Sequence, residues 1–222
     1  IVGADAIGFD TAAHVIGDKA HRLLADWYEA AIAAHPPRDR RFRFLHSWYP
    51  APREAERMGA MHAIVDVTPY HLVRELDGMT ARMGPERAGF AFPWRSMIRK
   101  GVRIDIGSDW PGSFDRNNIA PLNPMENIYY AITRARLDGT PQGGWRPDQA
   151  LTVDEAIAAY TINPAFASRE EARKGSITPG KLADFAVLDR DIRKASPRES
   201  LGTRVRLTVF NGKVGYSAGP SS

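Results

Sequence analysis

The chain lacks cysteine, long apolar runs and clustered basic residues, and each absence argues against a class of structure or function. Without cysteine it can form neither a disulfide nor a thiolate metal site, which fits a reducing compartment and a cytoplasmic protein. No apolar run approaches the ~20 residues of a membrane span, so no membrane association is expected. The formal charge of +4 is modest and the arginines are dispersed over 222 residues, so the sequence indicates no nucleic-acid partner.

The chain also begins at Ile1 instead of a methionine, and no signal-peptide pattern is visible. We therefore expect a processed or shortened chain, or a fragment of a longer protein. Its apolar content of 43% and charged content of 25% are ordinary for a globular domain.

The range 101–111 is the most informative stretch, because apolar and charged residues alternate there behind a glycine. This alternation predicts a strand, which the glycine and proline of the range 107–111 then end. Asp109 thus follows the carboxyl end of a strand, where catalytic groups collect in α/β folds. An aspartate that caps a turn or the next helix is the alternative at this point.

Two histidines share this placement. His14 follows a short apolar run and His46 ends a second strand-like run. His46 follows His14 by 32 residues (46 − 14), and Asp109 follows His46 by 63 (109 − 46). An eight-unit (β/α) barrel uses about 250 residues, or about 31 a unit, so the three residues occupy equivalent points of their units. Two imidazoles and a carboxylate at one rim predict a divalent metal site.

Further elements follow from local patterns. Residues 1–10 are interpreted as the lead-in to a strand, and Asp18 as the cap of a helix over 19–34, with His21 and His35 on the surface. A strand over 61–67 places His71 just past its carboxyl end, within reach of substrate. In the loop over 110–123, residues 115–118 either meet substrate or form a disordered tip.

From residue 175 the pattern changes to turns and short strands. Strands are predicted over 183–188, 205–210 and 213–216, the last two joined at Asn211 and Gly212. We therefore expect a partial (β/α) barrel over residues 1–174 and a β-sandwich segment over residues 175–222.

Five motifs occur in an order that spans nearly the whole chain: His14–Ala20, Gly107–Pro111, Pro121–Pro124, Tyr160–Ala165 and Lys174–Asp184. Through them the sequence resembles the amidohydrolase superfamily, in particular the YtcJ-like branch of amidohydrolase family 3. The resemblance covers only the C-terminal part of the family's proteins, because the His-x-His motif of their first barrel strand does not occur in this sequence.

The resemblance implies an α/β fold, namely the C-terminal half of a TIM-like (β/α)8 metal-dependent hydrolase barrel plus strands of a small β-sandwich. It places His14, His46 and Asp109 at the ends of strands five, six and eight. It makes both histidines metal ligands, and Asp109 a ligand or the catalytic base. The cofactor it implies is a divalent metal, with zinc preferred.

Two departures from the family pattern indicate a reshaped pocket. The family usually has Glu-His-Ala-Gln around the strand-six histidine, whereas this chain has Leu45, His46, Ser47 and Trp48. It often has Gln-Pro-Ser-His after strand seven, and the present chain has Thr-Pro-Tyr-His over 68–71. We expect substrate contacts from His71, Trp48 and Trp110. The aromatic side chains suit an aromatic or apolar substrate, or they form core.

The expected function is hydrolysis of an amide or related C–N bond, or an ester, in a small molecule, through a metal-activated water. One alternative is an inactive or scaffold subunit of a two-chain assembly, and another is a metal-dependent deaminase or isomerase on the same barrel. Half a barrel leaves two open strand edges, which invite pairing. We therefore expect an N-terminal partner chain or self-association into an oligomer.

Overall fold

A computed structural model describes residues 1–112 and 119–219. Residues 115–118, for which the sequence suggests substrate contact, lie outside the described residues.

Four short strands form a parallel sheet in chain order: β1 (Ala12–Val15), β2 (Arg43–His46), β3 (Ile64–Val67) and β4 (Arg103–Ile106). All four lie where the apolar alternation predicts them. The register places His14, Leu45, Asp66 and Asp105 side by side across the four strands. Their carboxyl ends therefore meet at one edge of the sheet.

Helices follow each strand and cover one face of the sheet. Their bounds are α1 (Val2–Ala6), α2 (Asp18–Ala34), α3 (Pro52–Ala60), α4 (Pro69–Glu75), α5 (Met79–Gly89), α6 (Trp94–Arg99), α7 (Pro124–Thr133), α8 (Val153–Tyr160) and α9 (Ile162–Ala167). A 3-10 turn covers Pro147–Gln149. Within the described residues no helix is long and apolar enough to cross a membrane.

The two faces of the sheet differ in chemistry because successive side chains of a strand point to opposite sides. Phe44, Val65 and Ile104 are in register and buried, and Phe44 packs on Tyr28 of α2. This face forms the core beneath the helices. The opposite face carries charged residues, among them Asp105.

The last part of the chain forms a separate antiparallel sheet of β5 (Phe185–Leu188), β6 (Val205–Phe210) and β7 (Lys213–Ser217), with α10 (Pro197–Leu201) between the first two. Asn211 and Gly212 join β6 to β7 with φ of 48° and 75°. Two successive positive φ values are typical of the tight turn that the Asn-Gly pair predicts.

Three local predictions are wrong. Residues 1–10 contain the helix α1, whose buried Asp5 is held by the side chains of His35, Arg38 and Arg40. The N-cap of α2 is Gly17, and Asp18 pairs instead with Arg87.

The third is the end of α7. The apolar spacing after Pro124 predicts a helix to about Leu137, but the helix stops at Thr133 because Arg134 adopts a left-handed conformation with φ of 54°. Contacts with residues distant in the chain explain the first two differences, and the backbone conformation of Arg134 explains the third. Local hydrophobic periodicity carries no information about either.

Candidate metal centre

Three potential metal donors converge at the carboxyl edge of the parallel sheet. His46 is the last residue of β2, His71 lies in the first turn of α4 after β3, and Asp109 follows β4. One donor atom from each lies within 4.8 Å of the other two. The edge of the sheet therefore forms a site with two nitrogen donors and one oxygen donor.

A break in strand geometry aims His46 at this site. Strict alternation from Phe44 would put residue 46 on the helix-covered face. His46 and Ser47 instead have φ of 69° and 51°, in the left-handed region that residues with a side chain rarely adopt. The ring of His46 then lies 4.7 Å from the ring of His14 and 5.4 Å from that of His71, measured between centroids.

His71 is buried beneath the carboxylate of Asp109. Its Nε2 lies 3.3 Å from Oδ2 of Asp109, but neither of its ring nitrogens has a hydrogen-bond partner within residues 1–112 and 119–219. The indole of Trp48 packs on the same ring at 5.1 Å. A buried ring nitrogen without a partner is costly unless a further group binds it, so the site fits an additional ligand such as a metal ion.

The electrostatics of the site keep both rings neutral near pH 7. Burial, aided by the nearby His46, lowers the pKa of His71 to about 4. Burial also lowers the pKa of His46, against the opposing effect of Asp109. Neutral imidazole is the form that binds metals, so these rings suit a divalent cation.

The other residues predicted for the site lie around this cluster. His14 is exposed and contacts His46, but it is outside the three-donor group. Trp48 is buried between His71 and Phe92. Trp110 is 54% exposed beside Asp109, where it is open to solvent.

Asp109 itself is held by a tight turn. Its backbone is left-handed, with φ of 55°, and its carbonyl accepts a hydrogen bond from the backbone N–H of Gly112. The Oγ of Ser108 accepts a hydrogen bond from the N–H of Trp110 at 3.2 Å. A Cβ atom at position 112 would overlap the Asp109 carbonyl and lie 2.6 Å from its Oδ2, so the turn requires glycine there.

His21 corrects a prediction, because it is completely buried instead of on the surface. Its Nδ1 lies 2.8 Å from the carbonyl oxygen of Gly17 and its Nε2 lies 2.8 Å from Oγ of Ser47. His35, also predicted on the surface, is half-buried and paired with Asp5. A signal was present for His21, since it shares a helical face with Leu24 and Tyr28, both buried.

A charged cluster that sequence patterns did not indicate lies on the open face of the sheet. Nε of Arg43 donates to Asp66 at 3.0 Å, and Asp105 lies beside Asp66 in register. Asp105 is only 3% exposed, so burial and the neighbouring Asp66 raise its pKa far above the usual range. Burial and Asp66 therefore both favour the protonated form of Asp105.

The family model described as the amidohydrolase family matches residues 1–216. The chain belongs to the amidohydrolase family. This agrees with the resemblance drawn from its motifs.

Curated relatives are similar over parts of this chain. Protein LONG AFTER FAR-RED 3 of Arabidopsis thaliana is 36% identical over 84% of the chain and 31% of its own length. N-substituted formamide deformylase of Arthrobacter pascens is 38% identical over 56% of the chain and 21% of its own length. The amidohydrolase YtcJ of Bacillus subtilis (strain 168) is 30% identical over 72% of the chain and 29% of its own length. The chain thus spans less than a third of each of these relatives.

Solved structures of low identity share the fold. An uncharacterised metal-dependent hydrolase of Pyrococcus horikoshii OT3 matches with a TM-score of 0.72 and 24% identity, over 87% of this chain and 36% of its own. Atrazine chlorohydrolase TrzN of Arthrobacter aurescens TC1, complexed with zinc, matches with a TM-score of 0.62 and 18% identity, over 97% of this chain and 46% of its own. At these identities the likeness concerns the fold alone.

Proposed function

We propose that this chain provides the catalytic rim of a metal-dependent hydrolase that cleaves an amide or related C–N bond, or an ester, in a small molecule. The observation that carries the proposal is the convergence of His46, His71 and Asp109 at the carboxyl edge of a parallel sheet. Membership of the amidohydrolase family and the similarity to a formamide deformylase support the C–N bond.

His14, His46 and Asp109 are the proposed metal ligands, and Asp109 is also the proposed catalytic base. Two imidazoles and one carboxylate form a donor set that zinc accepts, and a fold relative is complexed with zinc. His71 shares the 4.8 Å donor cluster and is a further candidate ligand besides its expected substrate contact. Trp48 and Trp110 are proposed to contact substrate.

The chain's own residues have separable tasks in such a reaction. When bound, a divalent cation lowers the pKa of water and polarises a carbonyl. Asp109 accepts a proton from the attacking water and returns it to the leaving nitrogen or oxygen. The buried ring of His71, 3.3 Å away, restrains the carboxylate for both transfers. Trp48 packs behind that ring and excludes water from it.

We also propose that the parallel sheet is the C-terminal half of a TIM-like barrel over residues 1–174, followed by a β-sandwich segment over 175–222. Within the described residues, β1 and β4 each pair with a strand on one side only. Open parallel edges support association with an N-terminal segment or partner chain, or with a second copy. A cytoplasmic location remains part of the proposal.

Zinc binding tests the proposal directly. The purified chain is dialysed against zinc and its metal content is measured by mass spectrometry. We expect zinc to bind, and Asp109→Asn and His46→Gln to weaken binding. His62→Gln is the matched control, since His62 lies in the turn before β3, at the opposite end of the sheet. A chain that folds yet binds no zinc would favour the scaffold alternative.

A further inference from the structure

A buried histidine outside the donor cluster joins the two segments that carry His14 and His46. His21 of α2 is fully buried and hydrogen-bonds through both ring nitrogens. The Gly17 carbonyl can only accept, so Nδ1 carries the hydrogen and donates to it at 2.8 Å. Nε2 then accepts from the hydroxyl of Ser47, also at 2.8 Å.

Both partners of His21 lie within three residues of proposed metal ligands. Gly17 ends the segment that follows β1 and its His14, and Ser47 directly follows His46. The carbonyl of Val15 accepts a hydrogen bond from the Ser47 N–H at 2.9 Å. His21 therefore connects the end of β1 to the end of β2 at the level of the site.

The backbone at Ser47 needs such support. His46 and Ser47 are two successive non-glycine residues in the left-handed region, and each costs roughly 1–2 kcal/mol. Such conformations persist only where surrounding contacts hold them. Ser47 is completely buried, and its hydroxyl bond to His21 is a side-chain contact that fixes this turn.

We propose that His21 is a positioning residue that holds the left-handed turn at Ser47 and thereby aims His46 at the metal. The proposal rests on the proposed function, because it assigns His46 to a metal. Side chains that orient a metal ligand typically contribute about 10–100-fold to metal affinity.

The same helix offers an internal comparison. Tyr28 lies seven residues after His21, on the same face of α2. Its hydroxyl bridges the carbonyls of Thr11 and Arg43 at 3.1 Å and 2.9 Å, at the opposite ends of β1 and β2. Helix α2 thus links these strands at both ends, but only the His21 end carries proposed ligands. Tyr28→Phe is therefore a matched control for a purely structural role.

The test measures zinc affinity by competition with a chromophoric chelator and stability by chemical denaturation. We expect Ser47→Ala and His21→Leu to weaken zinc binding by about 10–100-fold. His21→Gln, whose amide can reach Ser47, should recover part of the loss. Tyr28→Phe should lower the free energy of unfolding and leave zinc affinity unchanged.

Nitrogen-15 NMR of the metal-free chain tests the positioning role of His21 separately from the proposed function. We expect the Nδ1–H tautomer at His21, and a shift of the His46 ring resonances in Ser47→Ala but not in Tyr28→Phe. If the wild-type chain binds no zinc, the proposed function fails while these spectra still decide the positioning role. An unmoved His46 ring in Ser47→Ala, or an equal loss of zinc affinity in Tyr28→Phe, would overturn it.

Discussion

Nε2 of His71 lies 3.3 Å from Oδ2 of Asp109, which links the segments that follow β3 and β4. The histidine side chain is 3% exposed, whereas the aspartate side chain is 42% exposed. One side of the carboxylate therefore faces a buried ring while another is open to solvent. This combination suits the roles in metal binding and proton transfer that we propose for Asp109.

Replacing His71 by Leu is expected to weaken zinc binding by at least about tenfold, because Asp109 loses its buried partner and the cluster loses a donor. Zinc titration of the variant measures this. His62→Leu changes a histidine at the far end of the sheet and should have no effect on affinity. Unchanged zinc binding in His71→Leu, with only KM raised in the active assembly, would restrict His71 to substrate contact.

Gly112→Ala should disrupt the site while Gly107→Ala should not. A Cβ atom at 112 would overlap the Asp109 carbonyl, so the Asp109 turn must move. A Cβ atom at 107 meets no described atom within 4 Å. We expect weaker zinc binding only in the first variant, with both chains folded by circular dichroism. Equal affinities would show that the turn at Asp109 tolerates displacement.

Asp105→Asn is expected to stabilise the chain increasingly as the pH rises. The pKa of Asp105 is raised by burial and by Asp66, so its contribution to stability is present below its ordinary pKa of 3.8 and is lost as the pH rises toward the folded-state value. The amide removes this titration and still donates to Asp66. Denaturation at about pH 5 and about pH 8 should show the gain grow by on the order of 1–3 kcal/mol.

Glu86→Gln, on the exposed part of α5, is the control for Asp105→Asn. It removes an exposed carboxylate and should change the free energy of unfolding little. A stabilisation of Asp105→Asn that is the same at both pH values would contradict the raised pKa.

For His21 we expect the opposite dependence of stability on pH, in a lower pH range. Burial lowers its pKa from 6.5 to about 4, so its contribution to stability is complete above pH 6.5 and is lost as the pH falls toward 4. Across this window the unfolded chain takes up a proton that the native ring does not. The free energy of unfolding of the wild type should therefore fall more steeply than that of His21→Gln. Parallel curves from denaturation across the window would rule out a neutral, buried ring.

Much of the fold could be predicted from the sequence because local chemistry specifies it. The strand predicted within 101–106 is observed as Arg103–Ile106, since alternation, a preceding glycine and a following glycine are all local signals. The spacing of Thr152 and Glu155 also predicts a capping box, and this box is observed at the start of α8. The predictions for 1–10 and for His21 are wrong because Asp5 and His21 bind partners distant in the chain.

The sequence by itself determined the order of strands and helices, the placement of His14 and His46 near the carboxyl ends of β1 and β2 and of Asp109 after β4, and membership of the family. These follow from periodicity, turn residues and spacing. Only the tertiary structure decided that His46 turns away from the helix-covered face and that His71 meets Asp109. The physical reason is that a side chain's direction and neighbours depend on backbone angles and on register between strands, which packing of the whole chain sets.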